Sequence, residues 1–162
     1  MKKILFICLG NICRSATAEE VMRKKAELAG IAIETDSAGL IDYHEGELPD
    51  SRMRHHAFSR GYTLTHRSRP VRKADFADFD LIIAMDEQNV RGLLRLTDNI
   101  AERKKIRRAA EFIHHYRTET IPDPYYGGPE AFEHAMDLIE DCCDGLIEFL
   151  RKESIKDAET RP

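Results

Sequence analysis

Cys8 and Arg14 are separated by five residues in the segment Cys8-Leu9-Gly10-Asn11-Ile12-Cys13-Arg14-Ser15. A loop of that length can curl so that successive backbone N–H groups point inward and form a nest for an anion. A helix starting at Ser15 adds its positive end. Arg14 can fold back and give a phosphate a bidentate contact. Cys8 then sits on the floor of an oxyanion site, surroundings in which the thiolate, the attacking form of a thiol, is favoured. The plain alternative is a buried core cysteine followed by a solvated arginine. Cleaving a phosphate ester also needs a proton donor for the leaving oxygen. Asp123, in Ile121-Pro122-Asp123-Pro124-Tyr125-Tyr126-Gly127-Gly128, is the candidate. Two prolines stiffen its backbone and two aromatic rings stand at its edge. An aspartate in an ordinary turn is the competing reading.

The elements that must position these groups alternate between strand and helix. Ile4 to Ile7 is continuously apolar, as in a strand buried on both faces of a parallel sheet. Gly10-Asn11 breaks the run, and Ser15 is expected to cap a helix to about Ala29, with Gly30 as its C-terminal glycine. Ile31, Ile33 and Thr35 alternate as a second strand ending near Ser37-Ala38-Gly39. Pro49-Asp50 opens a helix that stops at Gly61. Asp80 to Ala84 is a third strand, and Asp86 the N-cap of a helix to about Leu96. Ile106 to Ala109 forms a fourth, charged strand. From Pro129, apolar residues Phe132, Ala135, Ile139, Cys142, Leu146 and Leu150 recur at helical steps. The charged segment after Arg151 is expected to fray. The fold class is α/β: a doubly wound, four-stranded parallel sheet flanked by helices, with a phosphate-binding loop after the first strand. Ligands bind such sheets beyond the carboxyl ends of the strands.

The chain has 162 residues, one domain by ordinary size. Hydrophobic residues make up 42% and charged residues 33%, a globular rather than disordered balance. The net charge of −4 argues against general nucleic-acid binding. No apolar run is long enough to span a membrane, and Ile4 to Leu9 is too short for a signal-peptide core. A cytoplasmic protein is expected, with export by a route lacking a signal peptide still open. The four cysteines, Cys8, Cys13, Cys142 and Cys143, form no Cys-x-x-Cys pair. No histidine lies at zinc-finger spacing from them, so a structural zinc is not expected. His55-His56 and His114-His115 do not share a helix face and make poor metal pairs. The basic run Arg103 to Arg108 reads as a solvated face, with docking of an acidic partner as the alternative.

The Cys8–Ser15 segment at the N-terminus, with Asp123-Pro124-Tyr125-Tyr126 far along the chain, resembles the low-molecular-weight protein tyrosine phosphatases. Asp36-Ser37-Ala38-Gly39, Gly46 with Asp50 and Arg52, His66-Arg67-Ser68-Arg69, Phe79-Asp80 and Met85-Asp86 with Asn89 follow the same pattern. The resemblance implies a phosphatase domain over residues 1–153 and a charged tail over 154–162. It implies that Cys8 attacks phosphorus and that Asp123 first protonates the departing phenol. Asp123 then acts as base on the water that cleaves the phosphocysteine. Arg14 and the loop N–H groups of Leu9, Gly10, Asn11, Ile12, Cys13 and Ser15 would hold the phosphoryl oxygens. Ser15 would hydrogen-bond the Cys8 thiolate. Asn11, Ser37 and His66 would hold the loop in a strained shape. Cys13 would be a redox partner, forming a disulfide with Cys8 that blocks over-oxidation. The resemblance implies that no metal and no cofactor are needed. Cys142 and Cys143 are expected to be structural or incidental.

Within that family, arginine phosphatases carry Thr where this chain has Ile12, and tend to lack the tyrosine pair. Leu9, Ile12, Tyr43, Tyr125 and Tyr126 are therefore expected to form an aromatic slot for phosphotyrosine. The expected partner is a phosphotyrosine-containing protein, such as a tyrosine kinase, with no nucleic acid and no membrane, and a monomer is expected. Protein-arginine phosphatase is the alternative substrate reading. A phosphate-binding or redox-sensing module without significant turnover is the alternative from another class. Arsenate reductases of the same fold relay a disulfide through further cysteines, and Met85 to Glu111 contains none.

Overall fold

The computed structural model describes residues 1–161. Eleven elements follow one another: β1 (Lys2–Cys8), α1 (Arg14–Ala29), β2 (Ile33–Gly39), α2 (Ser51–Ser59), α3 (Lys73–Asp78), β3 (Leu81–Ala84), α4 (Glu87–Leu94), α5 (Ile100–Arg103), β4 (Ile106–Arg108), a 3-10 turn (Ala109–Phe112) and α6 (Pro129–Thr160). The strands form one parallel sheet in the order β2-β1-β3-β4.

Alternation along β1 explains the two layers of helix. Ile4, Phe6 and Cys8 belong to a core with α1 and α6, where Val21, Met22, Phe132, Met136 and Ile139 are buried. Leu5 and Ile7 belong to a second core with Phe76, Val90 and Leu93. Side chains of successive strand residues point to opposite faces, so a continuous apolar run can feed both cores. The sheet is doubly wound as expected. Its strand order reverses between β1 and β3, which places the β1–α1 loop at the crevice.

Several boundaries differ from the sequence reading. Ser15 is not the N-cap of α1. Cys13 holds that position without a side-chain cap bond, and Ser15 lies in the first turn. Its hydroxyl is used elsewhere, as described below. Residue 31 is outside β2 because its amide ends α1: Gly30, at φ 70°, turns the chain and Ile31 N–H donates to the Ala26 carbonyl at 2.9 Å. Asp50 caps α2, accepting from the N–H groups of Arg52 and Met53. α4 closes at Leu94, and Arg103 takes the Leu94 and Thr97 carbonyls beyond it. The charged edge strand β4 is explained by Arg107, which stacks on Phe112 and Phe149 at 5.3 and 5.4 Å while its charge pairs with Glu111.

The segment expected to fray continues α6 to Thr160. No Gly or Pro interrupts it before Pro162, and most of its residues are good helix formers. Leu150 is the last buried residue, so the final turns project as an exposed extension. Among the described residues no helix is long and apolar enough to cross a membrane.

Candidate active site

The loop between β1 and α1 is tied down by its carbonyls. Leu40 N–H donates to the Cys8 and Leu9 carbonyls at 3.1 and 2.9 Å, and Ile41 N–H to Leu9 at 3.1 Å. Ser68 Oγ donates to the Gly10 carbonyl at 3.0 Å, and Asp50 N–H to the Ile12 carbonyl at 2.8 Å. Among the described residues, the N–H groups of Leu9 to Cys13 donate to no backbone carbonyl. Fixed carbonyls with uncommitted amides are the composition of an anion nest. Gly39, paired with Cys8 across the sheet, permits the close approach. A Cβ there would stand 2.8 Å from the Leu9 carbonyl oxygen.

Asn11 sits at the strained point of the loop, with φ 58°. Its side chain is fully buried and every polar atom is used. Nδ2 donates to Ser15 Oγ at 2.8 Å and to Ser37 Oγ at 3.0 Å. Oδ1 meets His66 Nε2 at 2.9 Å and accepts from Arg69 N–H at 3.0 Å. Since that oxygen can only accept, His66 must carry its proton on Nε2. Its other ring nitrogen, Nδ1, lies 3.1 Å from Glu19 Oε1 and 3.6 Å from Asp36 Oδ1. Burial, the largest influence, pushes the Glu19 carboxyl up to about 7 and pushes His66 down from its ordinary value. Ser37 Oγ also donates to Glu19 at 2.8 Å. Asp36 is held by Arg69 at 3.0 Å.

The thiol of Cys8 lies 2.9 Å from Ser15 Oγ. Beside it, Arg14 is buried, and Nη1 donates to Asp86 Oδ2 at 2.7 Å and to the Ile121 carbonyl at 2.9 Å. Burial alone would weaken its proton affinity. The charges of Cys8, Asp86 and Asp123 outweigh that and keep the guanidinium protonated. Nη2 lies 3.7 Å from Asp123 Oδ2. Asp86 thus serves two elements, because its Oδ1 caps α4 at Asn89 N–H, 2.8 Å away. The Asp123 loop is anchored by Ile121 N–H on the Met85 carbonyl at 2.9 Å. Arg52 holds the loop from the other side, donating to the Tyr125 carbonyl at 2.9 Å and lying over the Tyr125 and Phe132 rings.

Cys8, Leu9, Gly10, Ile12, Cys13, Arg14, Tyr43, Asp123, Tyr125 and Tyr126 line one pocket of about 350 Å³. Cys8 and Arg14 lie at its buried end. The aromatic residues form its mouth: Tyr126 is 95% and Tyr43 80% exposed. Tyr125 meets Tyr126 edge-on at 4.9 Å. A larger cavity of about 840 Å³ lies beyond Asp86, lined by Glu87, Arg108, Glu111 and Glu119. Its lining contains no cysteine. Cys13 is buried beside Cys8, and burial, with Asp50 and Cys8 adding to it, keeps it a thiol. Cys142 and Cys143 are buried under α1, away from the pocket.

Ser15, Ser37 and His66, singled out in the sequence, converge on Asn11. Ile41 and His44 also line the pocket, and neither they nor Glu19 are singled out by the sequence. Glu19 reads as one charge on an exposed helix face. Asp86 and Asp50 read as caps, and only the fold shows that each reaches the site as well.

The chain resembles known proteins along nearly its whole length. The family described as low molecular weight phosphotyrosine protein phosphatase matches residues 3–156. A low molecular weight phosphotyrosine protein phosphatase of Sus scrofa is 37% identical over 159 residues, covering 93% of this chain and 96% of its own. The crystal structure of a protein tyrosine phosphatase from Entamoeba histolytica has a TM-score of 0.92 and 43% identity, covering 95% of this chain and 99% of that one. The crystal structure of a Drosophila arginine phosphatase has a TM-score of 0.86 and 30% identity, covering 93% of this chain and 98% of that one. The chain belongs to the low molecular weight phosphotyrosine protein phosphatase family, a family of hydrolases.

Proposed function

We propose that the protein hydrolyses phosphotyrosine in proteins through a phosphocysteine intermediate. The observation that carries this reading is the pocket that unites Cys8, Arg14 and Asp123 with a loop of uncommitted amides. Cys8 Sγ attacks phosphorus as the tyrosyl oxygen leaves, and Asp123 gives that oxygen its proton. Water then attacks the phosphocysteine with Asp123 as base, and the thiolate departs with the Ser15 hydroxyl beside it. Arg14 and the loop amides hold the equatorial oxygens throughout, stabilising charge where it develops. Asn11, Ser37 and His66 are positioning residues, acting through the loop. Leu9, Ile12, Tyr43, Tyr125 and Tyr126 form the slot for the ring. That slot favours phosphotyrosine over phosphoarginine, and its depth keeps the shorter phosphoserine from reaching Cys8.

Hydrolysis of phosphotyrosine, phosphoarginine and phosphoserine peptides by the wild type and by Cys8→Ser and Asp123→Ala tests the reading. Phosphotyrosine is expected to be preferred. Cys8→Ser should bind without turnover, and Asp123→Ala should lose about 10²–10⁴ in rate, the usual weight of a general acid. Preference for phosphoarginine would replace the substrate. Absence of turnover by the wild type, with equal binding by all three proteins, would make this a phosphate-binding module.

A further inference from the structure

Leu9 forms one wall of the pocket above, and its other side faces a second groove. That groove, of about 550 Å³, runs along α4 and is lined by Leu9, Leu40, Arg91, Gly92, Arg95 and Leu96. Its floor is apolar, with Leu9 and Leu96 each 46% exposed. Gly92 lets the helix approach Leu40: a Cβ there would stand 2.6 Å from Leu40 Cδ1. Arg91 and Arg95 are one helical turn apart, so they stand on one face. Both are exposed. Among the described residues neither has an acidic partner within 4.0 Å. Arginines further along the chain do: Arg107 pairs with Glu111 at 2.9 Å and Arg108 with Glu87 at 2.6 Å. In a chain of net charge −4, an unneutralised basic pair beside an apolar floor marks a surface suited to an anionic partner.

We propose that this groove docks an acidic segment flanking the phosphorylated residue of the substrate protein. The proposal rests on the phosphotyrosine reading of the adjoining pocket and names what lies beside the reacting group. With the phosphotyrosine ring in the slot, the substrate backbone lies at the rim, and one arm crosses Leu9 into the groove. An apolar side chain packs on Leu9, Leu40 and Leu96, and carboxylates meet Arg91 and Arg95. Exposed ion pairs contribute modestly and are screened by salt, so the two arginines together are worth about 3–30-fold in kcat/KM at low salt. The effect should fall mainly on KM, because neither arginine touches the reacting atoms.

The test compares the wild type with Arg91→Ala/Arg95→Ala and Arg91→Glu/Arg95→Glu. The substrates are a small aryl phosphate and phosphotyrosine peptides flanked by glutamate, by glutamine or by lysine. The wild type is expected to prefer the glutamate peptide. The alanine variant should lose that preference, about 3–30-fold, with aryl phosphate turnover unchanged, and the glutamate variant should prefer the lysine peptide. Equal wild-type rates on the glutamate and glutamine peptides would overturn docking while leaving the phosphatase reading intact. So would a variant that loses aryl phosphate and peptide activity in equal proportion. A wild type inactive on the aryl phosphate would overturn the reading of the pocket, and docking with it.

Discussion

The hydroxyl of Ser15 faces the Cys8 thiol because Asn11 occupies its other side, and Asn11 is fixed by His66, whose free nitrogen faces Glu19. Glu19 therefore titrates within the network that holds the β1–α1 loop. The carboxyl titrates near 4.5 in an unfolded chain and is raised to about 7 in the fold, where burial opposes its charge. The folded protein thus holds more protons than the unfolded one between those values. Stability from this group is fully present below pH 4.5 and is lost as pH rises through about 7. Urea midpoints of the wild type and Glu19→Gln between pH 5 and 8 check this. The wild type should lose stability relative to the variant as pH rises, and parallel curves would contradict it. Cys13 supports a second expectation at this scale. As a redox partner, the Cys13 thiol would condense with a peroxide-formed sulfenic acid on Cys8, forming the disulfide and releasing water. Thiol reductant should restore the wild type fully after peroxide and Cys13→Ser only in part. Equal recovery would remove Cys13 from that role.

Two elements bring the loop to its shape from behind: the end of β2 and the segment before α3. Gly39 matters because the loop carbonyls press against it. Gly39→Ala should push Leu9 and Gly10 out of position and lower kcat/KM by at least about tenfold, since small misplacements of reacting groups carry large rate losses. It should also lower stability by about 1–3 kcal/mol. Steady-state kinetics and a denaturant titration measure the two effects, and wild-type values in both would refute the crowding argument. The elements also show what the sequence could reveal. β1 and β3 are legible as short continuous apolar runs, α1 from the glycine that ends it, and α6 from apolar residues recurring at helical steps. α3 and α5 are not, since six and four residues are too few for periodicity. The end of α6 is misread from its charge, although charged residues are good helix formers and nothing breaks the helix. Ser15 is misread as a cap because caps and active-site hydroxyls draw on the same residue types. Cys8 and Arg14 are legible because their spacing is local. Glu19 and Arg69 reach the loop only through the fold.

Across the whole molecule, charge is sorted by position. The net charge is −4, yet the crevice at the carboxyl end of the sheet collects Arg14, a helix start and a nest of amides, and α4 beside it carries Arg91 and Arg95. Local dipoles and buried cations set the field a phosphate meets, and the total does not. Every part of this arrangement converges on one atom, the sulfur of Cys8. The most direct test is to quench Asp123→Ala with acid during turnover of an aryl phosphate whose leaving group needs no protonation. The phosphorylated residue is then located by mass spectrometry. Hydrolysis of the proposed intermediate should be slowed in that variant, so one phosphoryl group should be found on Cys8 and on no other residue. Continued turnover with Cys8 unmodified, or phosphate carried by another side chain, would contradict the account.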